Sequence, residues 1–149
     1  MSATDTAGSS SGFIDTLNSF YEAEQRYVAA GGAKAGADFS EMASHLHPDV
    51  VGRQGPTVPY PGDWHGIEGI QRFFAVFSET WSTLTLSEIR YFHGEAGLAI
   101  QMRMQATAVA TGKSLDTLVG HFLIFEDGLI RELNVFYQDP VQVWEVTQP

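Results

Sequence analysis

Two proton-carrying side chains in this sequence sit where such groups are out of place. His121 stands in the alternating row Val119, His121, Leu123 and Phe125, which is otherwise apolar. It reads either as a core histidine bonded to a backbone carbonyl or as a cavity histidine serving as general acid or base, since free imidazole titrates near ~6.5. Glu24 shares a helical face with Leu17, Tyr21 and Val28. It either reaches solvent from the edge of that stripe or is buried, and burial raises a carboxyl pKa into the range useful for proton transfer. In the buried case Glu24 and His121 form an acid–base pair, with Tyr21 and Tyr27 as alternative hydroxyl donors. His45 and His47 lie two apart on what reads as a helix, so they point to different sides and no metal site is expected there. His65 and His93 fall near loop ends and read as solvated. The sequence has no phosphate-binding loop, dinucleotide fingerprint or Ser-His-Asp motif. The expectation is no cofactor and no metal.

A second unusual stretch is residues 54–66, QGPTVPYPGDWHG, with three prolines, three glycines, a Tyr and a Trp. Proline fixes φ and removes a backbone donor, so the segment reads as a stiffened loop rather than a helix or central strand. Its rings, Tyr60 and Trp64, are candidate walls or a lid over an apolar ligand. Packing beneath the loop is the plain alternative.

The elements that must position these groups follow from periodicity. Phe13 to Ala30 reads as a helix stopped by Gly31 and Gly32. Asp38, with Glu41 three residues on, resembles a capping box, and Phe39, Met42, Ala43 and Leu46 mark a short second helix ended by Pro48. DVVGRQ is a short strand. Ile67, Ile70, Phe74, Phe77 and Trp81 recur at helical spacing and predict a third helix with one buried face. Four strand-like runs follow, around 83–92, 98–109, 115–125 and 129–138, separated by HGEAG, TGKS and EDG turns. Three helices before a hairpinned antiparallel sheet make an α+β arrangement.

The chain has 149 residues, 44% hydrophobic and 12% aromatic, enough for one core, so residues 13–149 are expected to form a single domain after a flexible tail, 1–12. A net charge of −10 disfavours nucleic acid and anionic membranes as partners. The absence of cysteine excludes disulfides, thiol nucleophiles and cysteine-ligated metal. No signal peptide or membrane-length apolar run is present, so the expected location is cytoplasmic.

The order of elements, with LHPDVV, GDWHGIEGIQRFF, TGKSLD and FEDGLIRELNVFYQDP in register, resembles the SnoaL-like group of the nuclear-transport-factor-2-like superfamily over roughly residues 13–145. Relatives of that group are ketosteroid isomerase, limonene-epoxide hydrolase and small polyketide cyclases. The resemblance implies a cone-shaped α+β barrel, with three N-terminal helices on a curved, mainly antiparallel sheet around an apolar pocket, and a homodimer. It places Gln54 where the isomerase has its base aspartate and the hydrolase its water-holding amide. Gln54 can hold a water or a carbonyl but cannot take up a proton at neutral pH. The resemblance also places His121 at the isomerase's second aspartate and Glu24 close to its catalytic tyrosine. The hydrolase's Arg and Asp positions fall on Met102, Met104 and Val135 or Phe136, none of them charged. Arg103 fills one only after a one-residue slip, which turns every side chain to the other face. The favoured reading therefore turns Arg103 outward and makes Met102 and Met104 a soft apolar wall. Arg53 and Tyr137 are secondary candidates. The implied function is a cofactor-independent cyclase or isomerase of an apolar, oxygenated small metabolite. The alternatives are a non-catalytic binding protein, an epoxide-hydrolase-like enzyme with a non-standard site, and an assembly subunit.

Overall fold

A computed structural model describes residues 10–149 of the chain. Helix α1 (Ser10–Ala29) is followed by a 3-10 turn (Ala33–Ala35) and a single-turn α2 (Ser40–Ala43). Then come β1 (Leu46–Gln54), β2 (Gly62–His65), α3 (Gly66–Thr80), β3 (Trp81–His93), β4 (Gly97–Ala108), β5 (Ser114–Glu126), β6 (Leu129–Tyr137) and α4 (Pro140–Thr147). The six strands form one sheet in the order β2-β1-β6-β5-β4-β3, antiparallel except where β1 runs parallel to β6. Register shifts in β3, near Trp81 and between Ser87 and Arg90, mark the bulges by which a strand bends. The sheet is curved and stays open, with β2 and β3 as its edges, so the α+β class stands without barrel closure.

Alternation decides which side chains face the helices. Along β4, Leu98, Ile100, Met102, Met104, Ala106 and Ala108 are buried, and on β5 so are Leu115, Thr117, Val119, His121, Leu123 and Phe125. Against this inner face lie α1, through Phe13, Leu17, Phe20, Tyr21 and Glu24, and α3, through Ile70, Phe73, Phe74 and Phe77.

Several sequence expectations need correction. The helix starts at Ser10, so residues 10–12 of the expected tail are helical; residues 1–9 lie outside the described residues. The second helix ends at Ala43, and Leu46 belongs to β1, paired with Ile130 of β6. Proline at 48 disfavours helix before it, and pairing with β6 takes the backbone instead. Asp38 accepts from Ser40 N and Oγ, both at 2.9 Å, while Glu41 pairs with Arg26, so no capping box forms. His47 is accordingly a strand residue, its Nδ1 accepting from Asp49 N and its Nε2 beside Glu126 and Asp127. Trp81 opens β3 opposite Ala108 instead of ending α3. The loop of residues 54–66 closes on itself as a hairpin, with Gly62–His65 returning along β1 and its prolines outside the ladder. Gly66, at φ 73°, then turns the chain straight into α3. Helix α4 was not expected, although Asp139 accepting from Gln142 N, with Pro140 at the first turn, is an ordinary start signal.

Candidate functional site

Between the two long helices and the inner sheet face lies a cavity lined by Glu24, Gln54, His121 and Tyr137 and by Phe73, Phe74, Phe77, Leu86, Met102, Met104, Val119, Leu133 and Val135. Its free volume is about 30 Å³. That is room for a water or two. Gln54, Phe73, Phe74, Leu133 and Val135 also line a second, outer void, with Gly52, Arg53, Trp64 and Ile70.

Glu24 and His121 are each 7% exposed, so both are held away from bulk water. Helical spacing carries Glu24 inward with Tyr21 and Val28, and strand alternation carries His121 inward between Ile100 and Val135 of the flanking strands. Burial pushes the Glu24 carboxyl up to about 8 and the His121 imidazole down to about 3. Both are therefore largely neutral at pH 7. No hydrogen bond to the Glu24 carboxyl exists among the described residues.

The Tyr21 hydroxyl lies 2.6 Å from His121 Nδ1. Burial, and then the neighbouring Glu24, keep that phenol well above its ordinary pKa, so it is a neutral O–H. Nδ1 is its one acceptor among the described residues. The phenol therefore donates to Nδ1, and the ring proton of a neutral imidazole is left on Nε2. His121 consequently presents an N–H donor. Gln54, at the end of β1, brings the one fully buried side-chain oxygen that lacks a partner among the described residues, its Oε1.

The remaining candidates divide. Met102, Met104 and Tyr137 line the inner cavity, and Trp64 and Arg53 the outer void. Arg53 is already matched: its Nη1 donates to Glu132 Oε1 and Asn134 Oδ1, both at 3.0 Å. Tyr60 is not a wall or lid. It is 1% exposed and lines neither void, because its hydroxyl bonds Trp81 and Tyr137 while its ring packs edge-on against Phe73. Tyr21 stands behind His121 rather than in the cavity lining, and Tyr27 packs against Phe39 and Phe74. The positions where a hydrolase would carry its charges, Met102, Met104 and Val135, are buried and apolar. Phe136, the other position for the last Asp, is exposed. Arg103 is on the outer face, 2.6 Å from Asp116 and 3.1 Å from Glu88. The epoxide-hydrolase alternative thus lacks its charged groups on the inner face.

The sequence reading did not single out the cavity-lining Phe73, Leu86 and Leu133, nor the hydrogen bond of Trp81 behind the cavity. Phe73 lines both voids, and its spacing of four from Gly69 and Phe77 was the available signal. Trp81 donates from Nε1 to Tyr60 Oη at 3.0 Å, which no local pattern indicates. His65 and His93 are exposed. His47, Glu126 and Asp127 meet at the β5–β6 turn, where the histidine Nε2 lies 3.6 Å and 3.8 Å from the two carboxylates.

Residues 25–133 match the sequence model of the family described as the SnoaL-like domain. No curated protein matches the chain significantly in sequence. Among solved structures, the fold resembles an NTF2-like protein of unknown function from Burkholderia pseudomallei, with TM-score 0.79, 18% identity and coverage of 93% of this chain and 98% of that one. TerC co-crystallised with polyporic acid aligns with TM-score 0.77 at 17% identity, covering 93% and 99%. A protein from Xanthomonas campestris pv. campestris, provisionally named a polyketide cyclase, aligns with TM-score 0.73 at 16% identity, covering 96% and 100%.

Proposed function

The chain belongs to the SnoaL-like domain family, and from that premise we propose that it is a cofactor-independent cyclase or isomerase of an apolar, oxygenated, polyketide-like small molecule. The observation that carries this reading is the meeting of Glu24, His121 and Gln54 on one otherwise mostly apolar cavity. Similarity to a protein provisionally named a polyketide cyclase supports the reaction class. The polar groups lining the inner cavity include no cation, so the site suits a carbonyl compound better than a carboxylate or phosphate.

The chemistry assigned to each group follows from its protonation. A carboxyl with a pKa of about 8 is, once ionised, a stronger base than an exposed glutamate. Glu24 takes a proton from the carbon next to the carbonyl and returns it later in the cycle. His121, neutral and donating from Nε2, stabilises the oxygen as negative charge develops on it. Gln54 orients the substrate through its amide. The apolar walls exclude water from the enolate.

The test is turnover of a panel of polycyclic and polyene ketones, followed by mass spectrometry. His121→Ala should lose turnover by roughly 100-fold or more while binding persists, as for removal of one oxyanion donor. Binding without turnover across the panel would make the protein a carrier of such molecules.

We further propose that two copies pair through the outer sheet face. There Phe92, Phe122, Ile124 and Phe136 are exposed, Phe122 and Phe136 meeting edge-on at 5.5 Å. An apolar patch on a sheet can serve both partners of a two-fold pair. Phe136→Lys should convert a dimer to a monomer in sedimentation velocity; a wild-type monomer at high concentration would sink this pairing.

A further inference from the structure

Behind the cavity, three polar side chains form a chain of hydrogen bonds, and its first donor is fixed. The Trp81 indole N–H can only donate, and it donates to Tyr60 Oη at 3.0 Å. Tyr60 Oη lies 2.7 Å from Tyr137 Oη. Both Trp81 and Tyr60 are buried, and Tyr60 has no other acceptor for its proton among the described residues. If Tyr137 donated to Tyr60, the Tyr60 O–H would be left buried with no acceptor, which costs the full desolvation of that group. The order Trp81 to Tyr60 to Tyr137 satisfies both buried donors. It leaves the Tyr137 proton surplus, on a side chain that lines the cavity beside Glu24, His121 and Gln54.

We infer that Tyr137 is a ligand-facing hydrogen-bond donor, set in direction by Trp81 acting through Tyr60, and that it recognises a carbonyl or enolate oxygen. The inference rests on the cavity being the ligand site, and it adds a donor to that site. Each bond in such a chain polarises the next, so Tyr137 donates more strongly than a lone phenol. Trp81 and Tyr60 are positioning residues, because neither lines the cavity.

The test uses 1-tetralone and tetralin, two bicyclic probes of similar shape of which only the first carries an acceptor oxygen. Tyr137→Phe should weaken 1-tetralone binding about tenfold, the worth of one hydrogen bond, and leave tetralin unchanged. Trp81→Phe should weaken 1-tetralone severalfold in the wild-type background and have no further effect once Tyr137 is Phe. Should Trp81→Phe fail to fold, Tyr60→Phe breaks the same chain and the same pattern is expected. Equal weakening of both probes, or an effect of Trp81→Phe that persists in the Tyr137→Phe background, overturns the proposal in favour of packing. A ligand-free measurement decides the case even if neither probe binds. In protein carrying 13C-labelled tyrosine, the hydroxyl proton between the two rings should correlate through bonds with Tyr60 carbons, and correlation with Tyr137 overturns the assignment. Absence of turnover with this pattern intact would count against the cyclase reading alone.

Discussion

Glu24→Gln should lower turnover by about 10²–10⁴-fold, the usual contribution of a positioned proton-transfer group. The wild-type pH profile should carry the same signature. With the carboxyl at about 8, only a minor fraction is ionised at pH 6 and 7, so kcat/KM should climb about tenfold from pH 6 to 7 and level off above pH 8. Glutamine has the shape and the hydrogen-bonding capacity of the neutral acid but cannot accept the proton. The residual activity of the variant should therefore be flat over that range. A wild-type profile that falls above pH 8 would mean that Glu24 works as an acid and would reverse its assigned role.

The same substitution should raise stability relative to wild type by an amount that grows with pH. The carboxyl has its ordinary value of 4.5 when unfolded and about 8 when folded, so the folded state holds its proton more tightly. That preference is fully present below pH 4.5 and is lost as pH climbs toward 8, because only the unfolded chain ionises freely in that window. From pH 4 to pH 7 the stability of Glu24→Gln relative to wild type should therefore increase by about 3 kcal/mol, read from urea denaturation at each pH. Parallel pH curves for the two proteins would refute the buried, raised carboxyl. His121 acts in the opposite direction. Its folded value of about 3 lies below the ordinary 6.5, so the stability it contributes is present above pH 6.5 and disappears as pH falls toward 3. Together the two groups favour a stability plateau between about pH 4.5 and 6.5. The optimum expected from the role proposed for Glu24 lies above that plateau, which would be a trade of stability for activity.

Periodicity made most of this arrangement legible and failed in identifiable places. The strand row of Val119, His121, Leu123 and Phe125 put the histidine on a buried face, because side-chain direction repeats with the backbone, whereas the stripe of Leu17, Tyr21, Glu24 and Val28 left Glu24 either at its solvent edge or buried, and the packing of α1 on the sheet decides for burial. The same alternation put Met102 and Met104 in the wall and Arg103 outside. β2 was illegible because four residues, GDWH, show no alternation and gain strand geometry only by returning along β1. Leu46 fitted a helical pattern, yet its parallel partner Ile130 lies more than eighty residues away, and no local rule sees that pairing. For Tyr60 the sequence leaves a ligand wall and packing beneath the loop both open, for a related reason. An aromatic ring in a proline-rich loop looks available to a ligand until Trp81 and Tyr137 are found bonded to its hydroxyl.

The small free space of the inner cavity bears on timing as well as on chemistry. Phe73, Phe74, Leu133, Val135 and Gln54 stand between it and the outer void. A ring-sized molecule reaches Glu24 and His121 only after some of these side chains swing aside. Arrival is then paced by the fluctuation of that partition and not by encounter, so observed association rates level off at high ligand concentration. Departure must await the same rare opening. Long residence is then expected even where the equilibrium affinity is modest, and for the cyclase proposed above it would keep an enolate enclosed through many attempts at ring closure.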